Sequence, residues 1–473
     1  MAATKAPKKE RAARSTKQVA STGLSMSDDG GGIRPAYLLS LTLSNVRCFG
    51  PEQTLNLSRA DGKPARWTVI LGNNGVGKTT LLEALALMLP VRTVFADNKV
   101  RPRSRMPYAF GPDEEEPRRW FRNSQNICSL SMRFSWSESL EHQVVEELEV
   151  VHGITAGSDD KYPTFSYRIL RQNHSALPYA YGASRRPGEG ALNDEQDSDT
   201  IRTLFRDSAT LRNAEEWLLQ TDYAAAKESP HQSRAKRQLE RVKKVLIAVL
   251  PDVRNVRVVT KERRGGLVKQ VAEVETDDGW IPMSALGLGY RTMTAWMVDF
   301  ASRLMERYGQ LDNPLAGPAV CLVDEIDLHL HPRWQRELID RLTELFPQTQ
   351  FVVTAHSPLV VQAAKDANLV VLRREGDHVV IDEHTGSVRS WRLDQILTSE
   401  LFELPSARAP ELDALLRERN AILGKSRVTA ADEERLAELR AQLADLPTGE
   451  TSEDIEAMDL IRRAAAELRA KRT

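Results

Sequence analysis

At 473 residues, with 65 lysines and arginines against 66 aspartates and glutamates, the chain can hold two or three domains and carries a formal charge of only −1. Hydrophobic residues make up 41% and charged ones 28%, as in a folded soluble protein; neutrality neither argues for nor excludes a nucleic-acid partner, because a basic groove can sit on a neutral chain. Cys48, Cys128 and Cys321 stand far apart, which argues against a disulfide framework or a zinc site and predicts a cytoplasmic setting, while no run approaches the ~18 apolar residues of a membrane span, so no membrane partner is expected.

In chain order, residues 1–34 are rich in Lys, Arg, Ser, Ala and Gly and read as a disordered basic tail without the apolar stretch of a secretory signal. Two readings stand for it, a solvated tail or a nucleic-acid arm built on Lys5, Lys8, Lys9, Arg11, Arg14 and Lys17. Residues 37–45 alternate like a strand, and 66–71 form a short apolar strand that runs into a glycine-rich turn. From 79 to 89 Leu and Ala recur at helical spacing until Pro90.

The turn itself, Gly72-Asn73-Asn74-Gly75-Val76-Gly77-Lys78-Thr79, matches G-x-x-x-x-G-K-[ST] in full and is followed by Thr80. Its glycines let backbone N–H groups face phosphate oxygens, and the helix behind adds its positive end. Lys78 is placed for the outer phosphates, and Thr79 has the hydroxyl to ligate Mg²⁺, so ATP with Mg²⁺ is the expected ligand.

Alternation between 128 and 169 predicts a strand meander, 197–250 turns helical, and 256–274 reads as a hairpin turning at Gly265-Gly266. A helix at 290–308, a buried strand at 319–323, a helix at 332–345 and a second buried strand at 350–354 follow, then a short β segment at 368–382. Three charged helices, 410–423, 430–445 and 452–471, close the chain.

The strand 319–323 ends in Asp324-Glu325, where Asp324 is placed to hold Mg²⁺ through water and Glu325 to act as general base on the attacking water. His356, at the C-terminal end of the strand 350–354, is placed to bond the γ-phosphate and sense its loss, since parallel sheets bind ligands at that edge.

Taken together, Asn45-x-Arg47-x-Phe49, the glycine loop, VDEIDLHLHPRWQ and TAHSP resemble the ABC-type ATPase heads of SMC-like and OLD-like proteins, above all the stand-alone bacterial ATPases of that group, over residues 37–395. The resemblance implies an α/β fold: a P-loop head with a mixed or parallel sheet (35–395), a helical insert (197–250) and a helical C-terminal extension (396–473). It also implies a head-to-tail dimer in which each ATP lies between one loop and the partner's signature segment, with His331 near the seam and Arg47 against the base.

The signature segment departs from the family pattern. Ser284-Ala285-Leu286-Gly287-Leu288-Gly289 has Gly287 where the family has serine, so the N–H groups of Gly287 and Gly289, or the Ser284 hydroxyl, are the candidates to face a phosphate. Gln125 and Gln172 are the candidate Q-loop residues, and Arg185 and Arg186 read either as phosphate or dimer contacts or as a solvated loop.

Glu375-Gly376-Asp377 reads as a hairpin turn rather than the start of a Toprim nuclease, and no HNH or PD-(D/E)xK spacing is present, so no nuclease site is expected in this chain. The layout resembles the ATPase subunits of Septu-type anti-phage defence systems, which implies a separate HNH nuclease as partner. The tail beyond Leu393 is its candidate dock, or else a solvated helical cap. A repair-type ATPase acting on DNA directly, and an ATP-gated scaffold with slow hydrolysis, remain the alternatives.

Overall fold

A computed structural model of the chain describes residues 36–444, apart from 89, 95–99, 105–119, 121, 123–126, 137–139, 141–145, 156–163, 170–177, 193–199, 263–267, 385–387, 389, 390, 403, 405, 408, 409, 426 and 427. The basic tail, Gln125, Gln172, the Gly265-Gly266 turn and the last predicted helix therefore lie outside the described residues.

The first alternating stretch forms β1 (Ala36–Ser44), which pairs antiparallel with β2 (Gln53–Asn56). β3 (Trp67–Gly72) runs straight into the glycine loop and α1 (Lys78–Met88). Beyond the helix, β4 (Pro90–Val94) and β5 (Val100–Ser104) make a separate ribbon. The predicted meander is β6 (Ile127–Trp136), β7 (Glu146–Thr155) and β8 (Thr164–Ile169), and with β1 and β2 it makes an antiparallel sheet in the order β2-β1-β6-β7-β8.

β9 (Pro178–Tyr181) was not predicted; its four residues are too few for a periodic signal, and they become a strand by pairing in parallel with 320–323. The helical stretch resolves into α2 (Arg202–Phe205), α3 (Ala214–Ala226) and α4 (Gln232–Val249). α4 buries Leu239, Val242, Leu246 and Val249 at helical spacing and turns Arg234, Lys236, Arg237 and Lys244 to solvent. β10 (Asn255–Glu262) and β11 (Val268–Thr276) form the predicted hairpin, to which β12 (Gly279–Pro282) adds a third strand.

A 3₁₀ turn (Met283–Ala285) leads into α5 (Leu288–Arg307). β13 (Ala319–Val323), α6 (Pro332–Leu345), β14 (Thr349–Thr354), α7 (Pro358–Ala363) and β15 (Asn368–Glu375) follow. Gly376, at φ 58°, turns β15 into β16 (His378–His384), so the acid-glycine-acid segment is the hairpin turn the sequence predicts. α8 (Leu393–Leu397), α9 (Pro410–Leu423) and α10 (Ala430–Ala444) end the described chain.

The central sheet runs β16-β15-β3-β14-β13-β9, parallel except for the β16 edge, and the fold is α/β. Both faces are covered, which explains why its strands read as unbroken apolar runs. On one face Val69, Cys321, Val323, Phe351 and Val353 pack with Trp296 and Phe300 of α5 and Leu338 of α6. On the other, Ile70, Leu322, Val352 and Val370 pack with Leu81 and Leu85 of α1 and with Leu41 and Leu43 of β1. Truncating one of these buried leucines to alanine costs about 2–5 kcal/mol.

The pairing of β1 with β2 begins at Ser40, so on that side the Leu38 backbone groups take partners from elsewhere. Gln350 of β14 supplies them: Leu38 N–H donates to Gln350 Oε1 at 2.7 Å, and Gln350 Nε2 donates to the Leu38 carbonyl at 2.9 Å. One buried amide thus joins the two sheets.

Candidate nucleotide site

The loop between β3 and α1 needs backbone angles that side chains resist: Gly72, Gly75 and Gly77 sit at φ 142°, 77° and 91°. At Gly77 a β-carbon would also lie 2.4 Å from Cys48 Sγ, so the loop rests closely on the Asn45–Phe49 turn. Lys78 is buried, and its ammonium donates to the carbonyls of Gly72 at 2.8 Å and Asn73 at 2.9 Å. Burial pulls its pKa below the ordinary lysine value, opposed by the nearby Asp324, Glu325 and Asp327.

The sheet brings the two halves of the site together. Thr79 Oγ1 donates to Asp324 Oδ2 at 2.7 Å, a contact between residues 245 apart in sequence. Thr354, at the end of β14, donates through Oγ1 to Asp324 Oδ1 at 2.6 Å and accepts the Glu325 N–H at 2.7 Å. A single hydroxyl therefore orients the side chain of one acid and the backbone of the next. Glu325 itself is left-handed at φ 48°, a strained conformation of the sort that collects at functional sites.

His356 is exposed; its backbone N–H donates to Asp327 Oδ2 at 3.0 Å, and the residue lines a cleft of about 300 Å³ shared with Gly72, Asn73, Val76, Arg373 and Arg374. The loop after β13 and the loop after β14 are interlocked. Ser357 Oγ donates to Gln335 Oε1 at 2.6 Å, and Gln335 Nε2 donates to the carbonyls of Leu330 at 3.0 Å and Asp327 at 3.3 Å. His331 is the N-cap of α6, accepting the Arg333 N–H at 3.3 Å, and is exposed.

Arg47 lies beside the start of α1. Its guanidinium donates to Thr80 Oγ1 at 3.1 Å and Glu83 Oε2 at 2.5 Å, and sits 4.6 Å above the Trp120 ring. Burial pushes the Glu83 carboxyl above its usual value, and the adjacent Arg47 pulls it back. Neither Glu83 nor Trp120 was singled out from sequence.

The signature segment stands apart from the loop, at the N-terminus of α5 against the chain after β13. Gly287 is the N-cap, in ordinary backbone, with nothing within 4 Å of where a β-carbon would sit. Gly289 differs: a β-carbon there would lie 2.3 Å from the His329 carbonyl, so it is a close-packing glycine. Ser284, in the 3₁₀ turn, and Leu288, 56% exposed, face solvent.

Arg185 does not lie in a solvated loop. It is only 2% exposed, with Nη1 donating to the Asp324 carbonyl at 2.6 Å and Nη2 to the Glu325 carbonyl at 2.9 Å. Its guanidinium lies 5.6 Å from the Trp296 ring, and burial lowers its pKa to about 10 against the opposing pull of Asp324, Asp327 and Glu325. Arg186 is exposed and held through its backbone beside Thr210. The run Tyr179-Ala180-Tyr181 before Arg185 was the available signal, since an apolar segment that ends in a buried strand carries the next residues to the same sheet edge.

Comparison with known proteins gives two family matches. A model described as "AAA domain, putative AbiEii toxin, Type IV TA system" matches residues 92–362, and one described as "AAA domain" matches 40–100. The chain is 24% identical over 401 residues to the Septu protein PtuA of Bacillus mycoides (strain KBAB4), an alignment covering 82% of this chain and 47% of that one. It is 25% identical over 411 residues to the Retron Vc95 probable ATPase of Vibrio cholerae, covering 75% and 78%. The chain thus spans about half the length of the Bacillus relative. Among solved structures, an SMC head bound to the C-terminal winged-helix domain of ScpA aligns with a TM-score of 0.43 and 14% identity, over 75% of this chain and 98% of that one.

Proposed function

Because the chain belongs to this family of AAA domains, we propose that it binds Mg²⁺·ATP on residues 72–79, hydrolyses it, and uses the cycle to control a separate effector nuclease, of HNH type, in anti-phage defence. The observation that carries the reading is the 2.7 Å hydrogen bond from Thr79 to Asp324, which joins a glycine loop to an acid-ended strand at the carboxyl edge of a parallel sheet.

The donor set fits magnesium: a threonine hydroxyl and a carboxylate are hard oxygens, and Mg²⁺ takes few protein ligands and keeps several waters. Thr79 and Asp324 would hold it, and the bound ion neutralises phosphate charge. The chain's own groups do the rest. Backbone N–H groups of 72–79 and the positive end of α1 hold phosphate oxygens, and Lys78 exchanges its two carbonyl partners for the outer phosphates. Glu325 takes the proton of the attacking water, held in place by Thr354 through the backbone. His356, on the rim of the cleft, senses the γ-phosphate.

In a head-to-tail dimer, Ser284, Gly287 and Gly289 face the second copy's nucleotide, and Arg47 lies against the base. The defence role is supported by the likeness to the Septu and retron proteins over 82% and 75% of the chain. Residues 396–473 are the proposed dock for the nuclease, where α9 and α10 pack Ile422, Leu423, Leu436 and Leu439 into a small core of their own.

A specific observation favours a second reading. An N-cap of glycine offers no hydroxyl to a phosphate, so Gly287 suits an ATP-gated scaffold with slow turnover. Steady-state ATP hydrolysis with Mg²⁺, for wild type, Lys78→Ala and Glu325→Gln, with and without DNA, tests both. Turnover lost in the two variants supports the first reading. Firm ATP binding without turnover in wild type supports the second, stimulation by DNA points to direct action on DNA, and turnover intact in both variants sinks the assignment.

A further inference from the structure

The backbone of Asp324 and Glu325 leaves the central sheet just where the chemistry is placed. The Asp324 N–H still pairs with the Tyr181 carbonyl at 2.8 Å, but the next residue turns into the left-handed region at φ 48°. The carbonyls of 324 and 325 therefore leave the ladder inside the protein, and buried carbonyls need donors. Leu328 N–H donates to the Glu325 carbonyl at 3.0 Å, and Arg185 adds a donor to each from one planar group, at 2.6 Å to Asp324 and 2.9 Å to Glu325. A guanidinium fork matches two neighbouring oxygens in a way that a single ammonium cannot.

Arg185 is itself tightly constrained. It follows the edge strand β9, stands at φ 35°, and is almost wholly buried against Trp296 in the middle of α5. One turn further along α5, Asp299 accepts from Tyr181 Oη at 2.9 Å and from Arg303 Nε at 2.8 Å, tying the helix to β9. Burying a cation is costly, and two carbonyls alone are satisfied elsewhere in proteins by neutral donors. The charge faces three clustered acids, Asp324, Glu325 and Asp327, whose mutual repulsion it offsets.

We propose that Arg185 is a positioning residue that fixes Glu325 in its working orientation from the backbone side; this rests on Glu325 being the general base. Arg185 touches no reacting atom; because it also holds the Asp324 carbonyl, its effect through Glu325 is separated by the ATP affinity and by the double variant.

The test uses the full chain with Arg185→Lys and Arg185→Gln, each alone and combined with Glu325→Gln. Single-turnover hydrolysis, the ATP dissociation constant and the thermal midpoint are read for each. Arg185→Lys should lower the hydrolysis rate about 10- to 100-fold, with ATP affinity little changed and the midpoint lowered modestly by the lost buried bond, and should add nothing in the Glu325→Gln background. Arg185→Gln, which keeps an N–H donor without the charge, should behave alike. An unchanged rate overturns the proposal. So does a loss of rate that is matched by loss of affinity and midpoint, or one that multiplies with Glu325→Gln, since each marks a merely structural arginine. Glu325→Gln hydrolysing at the wild-type rate instead removes the general base, and the role of Arg185 with it.

Discussion

Thr354 does the work of two residues with one oxygen. It is fully buried, donates a hydrogen bond to Asp324 and accepts one from the N–H of Glu325. Thr354→Val keeps the shape and removes both bonds, leaving a buried carboxylate oxygen and a buried N–H short of a partner. It should cost about 1–3 kcal/mol by denaturant melt and lower kcat about tenfold or more through misplacement of the base; a variant with unchanged melt and rate would contradict this. Gly287 predicts the opposite behaviour. Open space surrounds it, and serine is as good an N-cap as any, so Gly287→Ser should be neutral or stabilising by a few tenths of a kcal/mol. If the missing hydroxyl limits turnover, hydrolysis by Gly287→Ser should rise above wild type, and a fall would show that the glycine is itself required. The glycine loop, Asp324 and Glu325 were legible in the sequence because their chemistry is written in contiguous residues. Arg185 and Thr354 bond to groups of a distant segment; the apolar run before Arg185 marks the sheet edge, but no local pattern says which groups either one meets.

At the scale of elements, length decided what could be read. β3, β13 and β14 are apolar on both faces and stand out at once, and α6 fills the predicted 332–345. β9 and β12, four residues each, exist because a neighbour offers them a hydrogen-bonding edge, which no local pattern records. The α9–α10 hairpin shows local design at its clearest. Thr429 and Asp432 form a reciprocal cap, with Thr429 N–H donating to Asp432 Oδ2 at 3.0 Å and Asp432 N–H to Thr429 Oγ1 at 3.2 Å, while Lys425 approaches Asp432 at 2.6 Å. The Lys425 ammonium and the cap together hold the Asp432 carboxyl down at about 2. A depressed carboxyl stabilises above its unfolded value and loses that contribution as pH falls towards its folded one. The gap in thermal midpoint between wild type and Asp432→Asn should therefore be widest near neutrality and close as pH drops from about 4 towards 2. A gap independent of pH would show that the charge contributes nothing there.

For the whole molecule, the layering explains why one edge carries the site. An antiparallel sheet with α1 covers one face of the central sheet and α3 to α6 the other, so only the strand ends are free to meet a ligand. The α/β class and the order of the central elements followed from the sequence. The union of the two sheets through Gln350 did not, because a glutamine inside a strand looks like any polar residue until its partners are known. The proposed function stands on ATP binding by residues 72–79 and on its cleavage by way of Glu325. Its most direct test is the nucleotide retained after incubation with Mg²⁺·ATP, separated from free nucleotide and identified, with the mass of the complex measured in solution. Wild type should release ADP, Lys78→Ala should retain neither nucleotide, and Glu325→Gln should hold uncleaved ATP in a species of twice the monomer mass. ADP formed by Glu325→Gln as fast as by wild type would contradict the claim.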